Sequence, residues 1–168
     1  YQERVRKTKM SMTEKGIDVL VVSDPANMNY LTGYDGWSFY VPQVVVLALD
    51  DDEPIWIGRL MDANGAKHTT YLSNERIIGY ADDYVQTPLK HPMQAVADEI
   101  KRRGWDAKTI GTEMDADYFS AKSFVELQKS LPDAKFDDAN LLVSWVRIIK
   151  SAREIEFMQK AGKIAERV

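Results

Sequence analysis

The chain has 168 residues, of which 45% are apolar and 29% charged; its net charge is -4, and it contains no cysteine and only two histidines. That composition suits one globular domain whose core needs no disulfide or metal staple, and it excludes a disulfide framework and thiolate metal sites. No Lys/Arg stripe is present to bind phosphates, and no apolar run approaches the roughly 18–20 residues of a membrane helix, so neither nucleic acid nor membrane is expected as a partner.

Residues 2–16 carry a helical pattern with Val5, Met10 and Met12 among charges and Gly16 as its stop. Residues 18–23 (DVLVVS) form a continuous apolar run, the mark of a strand buried on both faces. Asp24-Pro25 starts a second helix, with Asp as cap and Pro in the first turn, ending near Gly33. Residues 43–49 and 54–58 read as a hairpin around the acidic turn 50–53, and that turn is expected to be solvated, since adjacent carboxylates at a hairpin tip lack a closed ligand shell. Residues 60–71 suggest a short helix broken at Asn64-Gly65. A strand at 76–80 and a long polar loop through Pro88 come next.

Further on, a helix at 92–103, a strand at 109–113, a helix at 118–130 preceded by Asp115 and Asp117, a brief strand at 135–137 and an apolar helix at 141–149 alternate. Ser151 and Glu154 fit a capping box, and Ile155, Met158, Ala161 or Gly162, Ala165 and Val168 then share one helical face. Alternating strands and helices with one hairpin predict a three-layer α/β/α domain with a mixed sheet over residues 1–150. The chain opens on Tyr1 inside a helical pattern and reaches Val168 with another still running, which is expected of a piece of a longer protein.

The stretch Asn29–Pro42, NYLTGYDGWSFYVP, is unlike ordinary scaffold. It places Tyr30, Tyr34, Trp37, Phe39 and Tyr40 within eleven positions of a chain that is 10% aromatic, punctuated by Gly33, Asp35 and Gly36. Such a loop either folds back on its own core or forms the wall of a binding site or interface. The second reading is adopted, with Trp37, Phe39, Tyr40 and Asp35 as candidate substrate-binding residues.

No catalytic set accompanies it. His91 stands before Pro92, where a cap is expected, and His68 lies in a polar stretch. Ser38 begins like a nucleophile elbow, but the closing Gly position is Tyr40. No His-Glu-x-x-His, phosphate loop or Gly-x-Gly-x-x-Gly is present, so neither a catalytic residue nor a metal ligand is assigned within this chain.

The string Arg147–Ala165, RIIKSAREIEFMQKAGKIA, resembles the hinge of the creatinase/prolidase family, and GIDVLVVSDPANMNYLTGY near the start is similar to the same family. The resemblance spans essentially the whole chain. It implies an N-terminal domain with a ribonuclease H-like motif, and residues 151–168 as a hinge helix leading into a C-terminal pita-bread catalytic domain outside this sequence. Within the family, GYDGWSFYVPQ, MDANGAK, IIGYADDYVQ and HPM look most like the ectoine hydrolases, which open a cyclic amidine to an acetylated diaminobutyrate; Xaa-Pro dipeptidases and creatinases are the neighbouring alternatives. In creatinase a Phe of this loop, and an Arg two residues on, reach the partner subunit's active site. Phe39 matches that Phe, whereas Val41 stands at the Arg position, which argues against creatine as substrate. The resemblance further implies a cytoplasmic homodimer acting on a small amidine, amide or dipeptide. It implies either a divalent metal (Mn, Co or Zn) in the C-terminal domain or a metal-free centre like that of creatinase. A purely structural dimerisation module is the remaining alternative, and Asp62 joins Asp35 as a carboxylate able to face a cationic substrate.

Overall fold

A computed structural model describes residues 1–167. The apolar runs become strands β1 Val19–Val22, β2 Val44–Ala48, β3 Ile55–Arg59, β4 Ile77–Tyr80, β5 Thr109–Thr112 and β6 Lys135–Asp138. They form one sheet in the order β4-β3-β2-β1-β5-β6. Only β2 runs against its neighbours; the pairs β1–β5, β3–β4 and β5–β6 are parallel. The helices are α1 Gln2–Lys15, α2 Pro25–Thr32, α3 Leu60–Thr69, α4 Pro92–Arg102, α5 Ala121–Ser130, α6 Leu142–Ile148 and α7 Ala152–Ala165.

Both faces of the sheet are covered, which is why the central strands are apolar throughout rather than alternating. Leu20, Val22, Val45, Leu47 and Trp56 meet α1, α2, α3 and α6 on one face. Val19, Val21, Val44, Val46, Ile55 and Ile57 meet α4 and α5 on the other. Trp56 is the largest of the fully buried side chains; burying one ring or branched chain of this kind stabilises the fold by about 1.5–3 kcal/mol. This is the expected three-layer mixed α/β arrangement.

Three local expectations need correction. Helix α3 runs unbroken through Asn64-Gly65, because both residues face solvent while Ala63 and Ala66 bury against the sheet. That anchorage outweighs the roughly 1 kcal/mol penalty of a mid-helix glycine. Helix α5 starts at Ala121, not Tyr118, since Ser120 Oγ accepts from the Ser123 N–H and sets the boundary. The acidic hairpin turn is not simply solvated. Asp51 Oδ2 accepts from Arg76 at 2.5 Å and from Arg103 at 2.7 Å, and Asp50 pairs with Lys108. The turn thereby clamps the hairpin to the end of α4.

Helix α7 carries the expected capping box: Ser151 Oγ accepts from the Glu154 N–H at 3.3 Å, and Glu154 Oε2 from the Ser151 N–H at 2.7 Å. None of its described residues is buried, and Ile155, Phe157, Met158 and Ile164 face solvent. Val168, assigned to its apolar face from the sequence, lies outside the described residues.

Burial pushes the Asp51 carboxyl up, but the hydrogen bond and charge of Arg76, joined by Arg103, outweigh it and hold the group below its ordinary value. A carboxylate depressed in this way adds stability above its unfolded value of about 4, and the contribution disappears as pH falls through the folded value. Asp51→Asn leaves two largely buried guanidiniums facing an amide and is expected to lower unfolding free energy by about 2 kcal/mol at pH 7. The gap to wild type should close as the acid range is entered. Urea unfolding curves at pH 7 and pH 3 check this, and superimposable curves at pH 7 count against the clamp.

Candidate functional site

The aromatic stretch is built outward from α2. Asp24 Oδ1 caps that helix by accepting from the Asn27 N–H, with Pro25 in the first turn. The helix ends at Gly33, whose φ of 84° is open to glycine; a Cβ there would lie 2.8 Å from the Tyr1 hydroxyl and 3.2 Å from the Thr69 carbonyl. The chain is thus turned sharply before the remaining rings.

The rings then divide. Tyr30 and Tyr34 are core residues, and Tyr34 packs on Trp56 with ring centroids 5.1 Å apart. For these two the inward-folding alternative holds. Trp37, Phe39 and Tyr40 stay exposed, Phe39 by 82%. Trp37 meets Phe39 edge-on at 4.2 Å and Tyr118 at 6.3 Å. Beyond them the chain is pinned again: Val41 is buried, Ser38 Oγ accepts from the Val41 N–H at 3.2 Å, and the Tyr80 hydroxyl donates to the Pro42 carbonyl. Three large rings therefore stand in solvent on a loop fixed at both ends.

They border a cleft of about 290 Å³ that also touches Tyr84, His91, Asp117 and Tyr118. Topology explains the meeting. Ser23 follows β1, Tyr84 follows β4, Asp117 follows β5, and Gln43 precedes the reversed strand β2, so all four lie at one end of the sheet. Clefts at the carboxyl ends of parallel strands, where neighbouring connections diverge, are the usual ligand positions of open α/β sheets. One wall carries Gln86 in the left-handed region at φ 51°, and Lys90 Nζ lies 4.8 Å from the centre of the Tyr84 ring.

Sequence reasoning missed Tyr84 and Tyr118. The first sits in what reads as a polar loop and the second in what reads as a helix, and the sole local sign was aromatic residues among Asp and Pro. Asp35 is not gathered with Phe39 and Tyr40; it lies in a separate groove with Arg4, Tyr30 and Arg147, and Trp37 borders both spaces. Asp62 is engaged by the Gln43 side-chain N–H at 2.9 Å.

Among the described residues the cleft contains no hydrogen-bonded nucleophile–base pair. Ser38 is committed to its own turn, His68 is exposed on α3, and His91 Nδ1 accepts from the Met93 N–H at 3.2 Å as the cap of α4. Among the described residues no group of three or more His, Asp or Glu side chains is placed to hold a metal ion. Burial lowers the His91 pKa, with Glu126 opposing and Lys122 assisting. The unfolded chain therefore takes up this proton first, near pH 6.5, and the cap's contribution, complete above that value, is lost as pH falls through the folded value. His91→Asn keeps an acceptor that does not titrate. Thermal melts from pH 7.5 to 5 are expected to show wild type losing stability faster than the variant; parallel decline would contradict the role of the neutral imidazole.

Comparison with known proteins agrees with the architecture. Residues 4–149 match the Creatinase/Prolidase N-terminal domain. The chain is 54% identical over 165 residues to ectoine hydrolase of Halomonas elongata, covering 98% of this chain and 41% of that protein. It is 51% identical over 168 residues to an uncharacterized hydrolase/peptidase of Sinorhizobium fredii, covering 100% of this chain and 43% of that one. The fold superimposes on an Xaa-Pro dipeptidase from Bacillus anthracis with a TM-score of 0.76 at 20% identity, over 97% of this chain and 40% of the other. The chain spans about two fifths of the length of these relatives. With a match that takes in nearly all of its sheet and helices, the chain belongs to the creatinase/prolidase N-terminal domain family.

Proposed function

We propose that this chain is the N-terminal part of a C–N bond hydrolase similar to ectoine hydrolase, and that its aromatic rim closes the active site of the second copy in a cytoplasmic homodimer. The observation that carries the reading is Phe39. It is 82% exposed at the crest of a loop anchored on both sides, a placement that leaves a large ring free for an outside partner. Identity to ectoine hydrolase over 98% of the chain supports the substrate class.

In this reading α7 is the hinge into a pita-bread domain, and that domain activates the attacking water. Water adds to the amidine carbon of the substrate, the C–N bond of the ring breaks, and the freed nitrogen takes the proton, leaving an acetylated diamino acid. A divalent metal of the Mn, Co or Zn type, where the whole protein uses one, would be held outside this chain. The residues described here act by exclusion and orientation. Trp37, Phe39 and Tyr40 keep bulk water from the bound ring, and an amidinium lies favourably over an aromatic face. Asp35, in the adjoining groove, supplies negative charge to the approach.

A dimerisation module alone would also place rings on the surface, and one variant separates the two readings. In the full-length protein Phe39→Ala is expected to lower kcat/KM for ectoine about tenfold, the loss of ~1.4 kcal/mol, with sedimentation still that of a dimer. Unchanged kinetics would remove Phe39 from the site, and dissociation with normal turnover per protomer would assign it to the interface. Xaa-Pro dipeptides and creatine, assayed alongside, test the substrate class.

A further inference from the structure

The loop that bears the rim leaves from α2, and α2 is held by a line of side chains. Glu113, just beyond β5 and 2% exposed, directs Oε2 at two backbone donors, the N–H groups of Ser23 at 2.7 Å and Asp24 at 2.8 Å. Its Oε1 accepts from the Asn27 amide nitrogen at 2.6 Å. Asn27, itself 3% exposed, presents Oδ1 to Arg147 Nη1 at 2.7 Å. Arg147 belongs to α6 and lies four residues before Ser151, the cap of α7. A second arginine braces the same helix: Arg4 donates to the Tyr30 carbonyl at 3.2 Å and to Glu154 Oε1 at 2.8 Å. Helix α2 is therefore tied near both ends to the chain around the start of α7.

The hydrogen bonds run in one direction, from guanidinium to amide oxygen and from amide nitrogen to carboxylate. Every donor meets an acceptor, as a buried polar line must to be stable. Burial raises the Glu113 carboxyl, while the Asp24 N–H, the Asn27 amide and the Ser23 N–H act against it. None of Arg147, Asn27 and Glu113 borders the cleft at Phe39 and Tyr40.

We propose that the Arg147–Asn27–Glu113 line is a positioning device that fixes the register between the aromatic rim and the α6–α7 segment. The inference deepens the function proposed above and rests on it, because a ring that shields a site elsewhere in the assembly must be held to within about 1 Å. All three are positioning residues, acting through α2 and the turn at Gly33.

Reversing the polarity of the line tests it. Glu113→Gln sets one amide nitrogen against another, and Asn27→Asp sets one carboxylate against another. In E113Q/N27D each donor again meets an acceptor: Arg147 faces the new carboxylate at position 27, the new amide at position 113 donates to it, and its carbonyl receives the Ser23 and Asp24 N–H groups. Hydrogen exchange in the full-length protein reads the effect without reference to turnover. Each single substitution is expected to speed exchange over residues 33–42 about tenfold, and the double to return it to within about twofold of wild type. The β2 amides of Val45 and Leu47 report global opening. Arg147→Lys, at a partly exposed position, keeps the charge but removes the guanidinium nitrogen that reaches Asn27 Oδ1 and should speed the same segment. Equal acceleration of β2 and residues 33–42, a double variant no better than the singles, or a segment 33–42 indifferent to all of them would each overturn the proposal. If Phe39→Ala leaves kinetics unaltered while the reversal behaves as stated, the line stands and the shielding role falls.

Discussion

A buried carboxylate cannot be left without donors, and in this fold that requirement sits where β1 and β5 end side by side. Glu113 meets it with the two backbone N–H groups that open α2 and with the amide of Asn27. A bare carboxylate in such a place would cost several kcal/mol. Its donors are available only if α2 departs from β1 at the observed angle. From that angle follow the packing of Met28 and Leu31, the sharp turn at Gly33 and the exit of the loop toward the cleft.

The loop combines two uses of aromatic residues. Tyr30 and Tyr34 are foundations, buried against the layer that includes Trp56. Burial, and then the charge of Asp62, push the Tyr34 phenol up to about 12, so it remains a neutral part of the interior at any physiological pH. Trp37, Phe39 and Tyr40 stand on those foundations and remain free. A rigid base with exposed rings loses little conformational entropy when a partner or substrate covers it. The same end of the sheet gathers Tyr84 and His91 from the β4–α4 connection and Tyr118 from the β5–α5 connection, so the rim is one side of a cleft and not an isolated projection.

What could be read in the sequence was whatever depends on near neighbours. Continuous apolar runs marked β1 and β2, Asp24-Pro25 and Ser151/Glu154 marked helix starts, and His91 before Pro92 marked a cap that the structure contains. Long-range pairing was not legible. Asp51 finds Arg76 and Arg103 at separations of 25 and 52 residues, and Asn27 finds Glu113 at 86. No periodicity announces such partners. Asn64-Gly65 misled because local propensity is weak beside the burial of Ala63 and Ala66. The four candidate site residues shared a short stretch of sequence, yet the fold places Asp35 in a different groove from Phe39 and Tyr40, since a turn separates side chains that spacing alone would group.

The central claim is that the exposed rim meets substrate in the assembled protein. Hydroxyl-radical footprinting of the full-length protein, with and without saturating ectoine, measures this at the three rings themselves. Oxidation of Trp37, Phe39 and Tyr40 should fall several-fold when substrate is bound, while the exposed ring of Tyr1 reacts as before. Equal labelling of the three rings in both states would contradict the account.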